Sequence, residues 1–346
     1  MRQYMTALAM LSIPAVLWAQ DALGEEQKPT EILKIDVMTR VDWQLDNVDS
    51  HTVNSNTGFE AKYLGFRIDG IITDGLTYSW RQRLNKAHSD GAFLNATDWI
   101  YLNYAVDGWN FQAGKEVVAI GGWEYDRHPI DVLGGSVFWN NIPCYDLGVS
   151  VGYNLTSSDC LTLQATQSPF FTKENRNLYA YNLMWSASHG VFHPLWSANM
   201  VEYDKGKYIS YLALGNRFDV ENVSLELDFM NRAASGQTYF FKDCSVMAEL
   251  GWRPDPRWRI HGKYTYDVNR THKNADYAVT PGTELSMIGG GVEFYPLRLK
   301  RTDLRLHAAC YYSWGTNANT ADLMQDKTVF FNVGLTWHMN VFTLKK

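Results

Sequence analysis

From about residue 31 onward, apolar side chains recur at every second position and polar ones fill the places between. The last segment shows this most plainly: Val329, Phe331, Val333, Leu335, Trp337, Met339 and Val341 alternate with Asn332, Gly334, Thr336, His338 and Asn340. Leu33, Ile35, Val37, Val41 and Trp43 stand the same way against Lys34, Asp36, Arg40 and Asp42. Leu304, Leu306, Ala308, Cys310, Tyr312 and Trp314 stand against Asp303, Arg305, His307 and Ser313. Val223, Leu225, Leu227 and Phe229 oppose Ser224, Glu226 and Asp228, and Ile260, Gly262, Tyr264 and Tyr266 oppose Arg259, His261, Lys263 and Asp267. A period of two gives an extended strand one apolar and one polar face; a helix would need apolar positions three and four apart, which these segments do not supply.

Marking every such segment predicts about sixteen strands. They begin near residues 32, 59, 76, 97, 109, 145, 159, 178, 194, 207, 222, 243, 257, 284, 302 and 328. The connectors alternate between short ones, such as Thr73-Asp74-Gly75, Asp107-Gly108 and Leu297 to Arg301, and long ones such as 45–58, 116–143 and 270–283. The one tight exception on the long side is Asp204 to Gly206. Short periplasmic turns and long outer loops mark a transmembrane barrel. The predicted fold is therefore all-β: a transmembrane antiparallel up-and-down β-barrel with both termini periplasmic. A soluble two-sheet sandwich would also alternate, but an apolar face on nearly every strand would leave it too much greasy surface in water. Trp43, Trp80, Trp109, Trp252, Trp258, Tyr295 and Trp314 fall near strand ends, where interfacial aromatic girdles are expected.

Composition narrows the class further. Of 346 residues, 46% are hydrophobic, 20% charged and 14% aromatic, which is too polar for a helical membrane protein and too aromatic for a disordered one. The net charge of −6, with no basic stripe, argues against a nucleic-acid partner. Cys144, Cys160, Cys244 and Cys310 are widely spaced and form no Cys-x-x-Cys or Cys/His cluster, so no metal site and no disulfide framework are expected. At the start, Arg2 precedes an apolar run from Met5 to Trp18, then Ala19 and Gln20. That is the pattern of a signal peptide, assigned to 1–20, and the run is too short to span a bilayer. Residues 21–346 then form the barrel, with an inward-folding loop around 116–143.

The final strand carries Asn332-x-Gly334-x-x-Trp337-x-Met339, with Phe342 near the end. It resembles the C-terminal signal by which bacterial outer-membrane barrels engage their assembly machinery. Together with the signal peptide and the strand count, it makes the chain similar to 16-stranded porins. Gly114-Lys115-Glu116-Val117, followed by Gly121 and Glu124 at the third long loop, resembles the porin O/P group of phosphate-selective porins. The resemblance implies a bacterial outer-membrane location, a homotrimer, and a third extracellular loop folded into the lumen as a constriction.

On the polar face, Lys34, Arg40, Arg67, Arg81, Arg83, Arg259, Lys263 and Arg305 fall on strands 1, 2, 3, 13 and 15, which closure makes into one basic wall. Asp219, Glu226, Asp228 and Glu249 are the acidic lumen residues, and the third loop adds Glu124, Asp126, Arg127, His128 and Asp131. A basic wall facing acidic loop groups would set up a transverse field that filters solutes by charge. The opposing expectation is that these charges pair locally, Arg40 with Asp42 and Arg67 with Asp69, and merely wet the interior. No His-Glu-x-x-His or Gly-x-Ser-x-Gly is present, so no catalytic residues and no cofactor are assigned. Gly289-Gly290-Gly291, inside a strand, points to a bend or close packing. The function this predicts is passive diffusion of small hydrophilic solutes with a preference for anions, phosphate among them by the resemblance. The alternative is a barrel occluded by its third loop that serves in binding, adhesion or structure.

Overall fold

The structure, a computed structural model, describes residues 31–86, 93–172, 175–237, 241–271, 276, 278–298 and 302–345. The assigned signal peptide and the end of the Leu297–Arg301 connector lie outside these. Among the described residues sixteen long strands follow one another: β1 (Glu31–Val48), β2 (Gly58–Thr73), β3 (Leu76–Arg83), β4 (Thr97–Val106), β5 (Trp109–Val117), β6 (Tyr145–Asn154), β7 (Asp159–Gln167) and β8 (Tyr179–Ala187). They continue as β9 (Phe192–Asp204), β10 (Lys207–Val220), β11 (Val223–Ala234), β12 (Asp243–Trp252), β13 (Trp258–Asn269), β14 (Glu284–Arg298), β15 (Thr302–Thr316) and β16 (Thr328–Lys345). A two-residue strand, His51–Thr52, folds back on the end of β1.

Each strand pairs antiparallel with its sequence neighbour, and β16 pairs with β1 from Glu31↔Lys345 to Val48↔Thr328, so the sheet closes. Closure matters because hydrocarbon offers backbone groups no alternative partner, and an open edge would leave a row of them unpaired. The turns are built to suit. Between β4 and β5, Asp107 (φ 46°) and Gly108 (φ 80°) both take positive φ, the two-residue hairpin geometry whose twist matches the strands.

The outer wall is apolar, as the alternation requires: Leu102, Val149, Leu163, Leu250 and Ile288 are each half or more exposed. Aromatic pairs cross strands at the end with short turns, including Trp109–Tyr153 (4.4 Å between centroids), Trp185–Trp196 (5.0 Å) and Trp258–Phe294 (4.5 Å). Tyr295 departs from the expected girdle. A register shift between Phe294 and Leu297 accompanies a buried Tyr295 whose hydroxyl donates to Glu293 (2.5 Å).

The second departure is larger. A uniformly polar inner face was expected, yet inward positions toward the loop end of β8 to β16 are apolar: Ala180, Val201, Ile209, Tyr211, Met230, Met287, Tyr311 and Phe330. They form one cluster with Val118, Ile120, Leu133, Val137 and Phe138 of the loop after β5, with Ala278 and Val279, and with Met324. Part of the barrel interior is thus a packed core rather than a water-wetted wall, and both faces of those strand halves are apolar for different reasons.

Replacing Leu163, 59% exposed in the middle of β7, by Arg should therefore cost about 2–4 kcal/mol in a lipid bilayer. Thr162→Arg, one position along and on the other face, should cost less than about 1 kcal/mol. Urea titrations of both variants in vesicles measure the difference.

Candidate pore and inward loop

Residues 118–144, between β5 and β6, leave the rim and bond to side chains on β1, β7, β9, β11, β12, β13, β15 and β16. A loop reaches walls on so many sides of a closed cylinder only from inside. Glycines let it approach: a methyl on Gly121 would lie 2.5 Å from the Leu195 carbonyl, and one on Gly215 2.7 Å from Gly122 Cα. The amide of Gly121 donates to Ser197 Oγ (2.7 Å), that of Ala119 to Gln164 Oε1 (2.7 Å), and Asn199 Nδ2 donates to the Ala119 carbonyl (2.8 Å).

Two wall carboxylates then begin two of the loop's helical turns. Asp228 on β11 accepts from the amides of Trp123 (2.9 Å) and Glu124 (2.8 Å) at the start of Trp123–Asp126. Asp267 on β13 accepts from Val137 (2.9 Å) and Phe138 (3.3 Å) at the start of Val137–Asn141. Each uses a carboxylate to satisfy amides that a helix start leaves open. Glu124 links the two turns by accepting from the Ser136 amide (2.9 Å) and hydroxyl (2.6 Å).

Every base singled out from the sequence has an acidic partner. Lys34 pairs with Asp36 (3.0 Å), Arg40 with Asp42 (2.6 Å) and Arg67 with Asp69 (2.7 Å). Arg81 and Arg83 share Asp98 (2.9 and 3.4 Å), and Arg259 bridges Glu249 (2.6 Å) and Glu293 (2.7 Å). Lys263 reaches Glu124 (2.6 Å), and Arg305 reaches Asp131 (2.7 Å). Several also hold the loop backbone: Arg40 Nη1 donates to the Val132 carbonyl (2.6 Å) and Arg305 Nη2 to that of Ile130 (2.8 Å). From the loop, Arg127 pairs with Glu226 and with Glu249 (2.5 Å). Asp219 pairs with Arg217 (2.9 Å). The unbroken basic wall expected from the alternation is thus a ring of ion pairs, since a low-dielectric interior leaves an unpaired charge too costly.

The pairing is uneven around the ring. In the belt of β10 to β15 and the loop, the bases Arg127, Arg217, Arg259, Lys263 and Arg305 face the acids Glu124, Asp131, Asp219, Glu226, Glu249 and Glu293. At β2 to β4 the order reverses: among the described residues Arg67, Arg81 and Arg83 pair with Asp69 and Asp98. Aromatic faces supply what a third acid would. The Arg81 guanidinium lies 3.6 Å from the Trp99 ring centroid and donates to the Tyr145 hydroxyl, and that of Arg83 lies 4.6 Å over Tyr63. Arg81 is fully buried, whereas the side chains of Arg67 and Arg83 keep 31% and 15% of their surface exposed.

Two loop groups differ from their free chemistry. Burial and the neighbouring Glu226 carboxylate push Asp126 up to about 7, with Arg217 opposing. Burial, with Arg81, Arg83 and Arg67 close by, holds His128 well below the usual imidazole range, so it adds no charge at neutral pH. Its Nδ1 accepts from the Ile130 amide (3.1 Å).

Asp98, Trp99, Tyr145, Asp267 and Gln164 carry this site and were not singled out from the sequence. Asp98 lies out of step with the alternation because the register shifts between Arg81 and Gln82 where β3 meets β4. Asp267 falls on the polar face of the alternation, but nothing local marks it as an anchor for a loop well over 100 residues earlier. Cys144, Cys160, Cys244 and Cys310 stand as free thiols, with Cys244 buried.

A closed sixteen-stranded barrel with an apolar outside, a charged inside and a loop folded into it is the architecture of a porin, a channel of the bacterial outer membrane. The chain belongs to the phosphate-selective porin O and P family, whose sequence profile matches residues 34–336. An anion preference fits that family. No functionally curated protein matches it by sequence. Among solved structures it is similar to the anion-selective porin from Comamonas acidovorans, with a TM-score of 0.62 at 10% identity over 89% of this chain and 99% of that one. It is similar also to the outer-membrane channel DcaP of Acinetobacter baumannii (0.60, 13%, covering 89% and 96%). The trimer form of OmpT from Vibrio cholerae matches at 0.57 and 11%, covering 90% and 100%.

A raised carboxyl value has a definite sign. Between its usual 3.8 and about 7 the folded protein keeps on Asp126 a proton that the unfolded chain has released, so stability falls as pH rises through that window. Asp126→Asn should remove that part of the slope and raise the melting temperature at pH 8 more than at pH 5, as circular dichroism melts in detergent would show.

Proposed function

We propose that the chain carries small hydrophilic solutes by passive diffusion and favours anions, and that the β2 to β4 corner supplies the preference. The observation that supports this is the local excess of arginine among the described residues: Arg67, Arg81 and Arg83 against Asp69 and Asp98. Across from it, the carboxylates at least match the bases. A solute between the two crosses a field weaker than an unpaired wall would give, but of the same direction. Glu124, Asp126, Arg127, His128 and Asp131 form the constriction, with Arg127 as its cation. Lys34, Arg40, Arg259, Lys263 and Arg305 line or brace the pore mainly through their pairs. The solved trimer of a similar barrel supports a homotrimer, and the last strand, β16, is the segment the assembly machinery would engage. No catalytic role or cofactor is assigned.

A second reading has its own support. The loop is tied to so many walls that a permanently occluded barrel, acting in binding or structure, is the competing function. Planar bilayers separate the two, since stable open steps support diffusion and a silent barrel supports occlusion.

Arg67→Gln with Arg83→Gln should lower the anion-over-cation permeability ratio by about threefold, roughly the 0.7 kcal/mol expected of partly screened charges. Reversal potentials in a salt gradient that match the parent would remove the corner from the selectivity mechanism.

A further inference from the structure

The glycine triplet in β14 has no role in the reading above, and the strand register shows what it accommodates. Gly289 lies opposite Tyr311 on β15 and Lys263 on β13, and Gly291 opposite His261. All five positions belong to the inward face. A methyl on Gly289 would fall 2.2 Å from the Cys310 carbonyl and 2.6 Å from both Cα and ring of Tyr311, and one on Gly291 2.8 Å from the Ala308 carbonyl and 2.9 Å from the His261 imidazole. The missing side chains therefore form a slot in the wall, and two neighbouring rings lie in it. Tyr311 is 1% exposed, and its hydroxyl lies 3.1 Å from His261 Nε2.

The Tyr311 ring also meets the inward loop. A methyl on Gly134 would come within 2.7 Å of it, so the loop backbone rests directly on the ring face. At the same residue, Lys263 Nζ donates to the Gly134 carbonyl (2.7 Å) and also reaches Glu124 (2.6 Å). Gly134 is thus drawn to the wall by the ammonium and stopped by the ring. Attraction alone would leave the separation undetermined; the thickness of one aromatic ring sets it.

We propose that Tyr311 is a positioning residue, which, held in the Gly289 slot and tied to His261, fixes how far the loop at Gly134 stands from the β13–β15 wall and so how wide the remaining aqueous path is. The inference rests on the diffusion reading. It names the spacer that the ion pairs act against, whereas that reading concerns only whether solutes pass.

Single-channel recording in planar bilayers tests it with the full-length protein, its fold checked by the faster migration of unboiled barrel on gels. Gly134→Ala inserts a methyl between ring and loop and should push the loop into the path, lowering conductance about twofold. Gly134→Ala combined with Tyr311→Ala gives that methyl room and should return conductance toward the parent value, a rescue that simple damage to the barrel would not produce. Tyr311→Ala alone removes the stop and should add open-state current noise, while Tyr311→Phe, which keeps the ring, should stay near the parent. Parent-like conductance in folded Gly134→Ala, or no recovery in the double variant, would overturn the proposal. Should Gly134→Ala fail to fold, a quiet, parent-like trace from Tyr311→Ala would overturn it. A parent protein that never conducts would instead refute the diffusion reading.

Discussion

Hydrocarbon cannot hydrogen-bond, and that constraint organises this molecule from its backbone outward. Each strand must give all its amides and carbonyls to two neighbours, so the sheet has no permissible end and β16 must meet β1. Once the cylinder closes, the alternating side chains have fixed destinations. One set faces lipid and needs only to be apolar. The other faces an enclosed volume in which every charge requires a partner close at hand.

That enclosed volume is divided. Toward the loop end of β8 to β16 it is filled by apolar side chains from the wall and from three loops, much as the core of a soluble domain is filled. Around it runs the ring of ion pairs, whose members do two jobs: they neutralise one another, and they hold loop carbonyls and amides at fixed points. Arg40, Lys263 and Arg305 each bind both a carboxylate and a loop carbonyl. The charged lumen is therefore also the scaffold of the constriction, and selectivity and loop geometry draw on the same residues.

The strands were legible because lipid imposes a period of two that nothing else in the chain obscures; the observed starts lie within about two residues of those the alternation predicts. The pairs Arg40–Asp42 and Arg67–Asp69 were legible too, since residues two apart on one strand share a face. What the alternation could not carry was anything set by distant segments. Asp98 turns inward through a register shift, Tyr295 through another, and Asp267 finds its partners in a loop that the chain made far earlier. Ile209, Tyr211 and Ala213 break the polar inner face only because loop residues cover them, and no local pattern distinguishes a covered wall from a lipid-facing one. In the segment Gly114 to Glu124, which carries the family resemblance, Gly114 and Gly121 are points of close backbone approach.

The bonds that hold the inward loop also constrain the order of assembly. Asn332 reaches the Leu133 carbonyl across 199 positions of chain, and Arg305 reaches Ile130 across 175. Those partners are in place only when the last two strands have joined the sheet and the seam has shut. Until then these two anchors have no counterparts, although those on β7 to β13 already do, and the cost of bringing such remote segments together is met by the wall rather than by the loop itself. The last of the loop's ties, on the β15 and β16 side, can therefore close only when the final hairpin is in place.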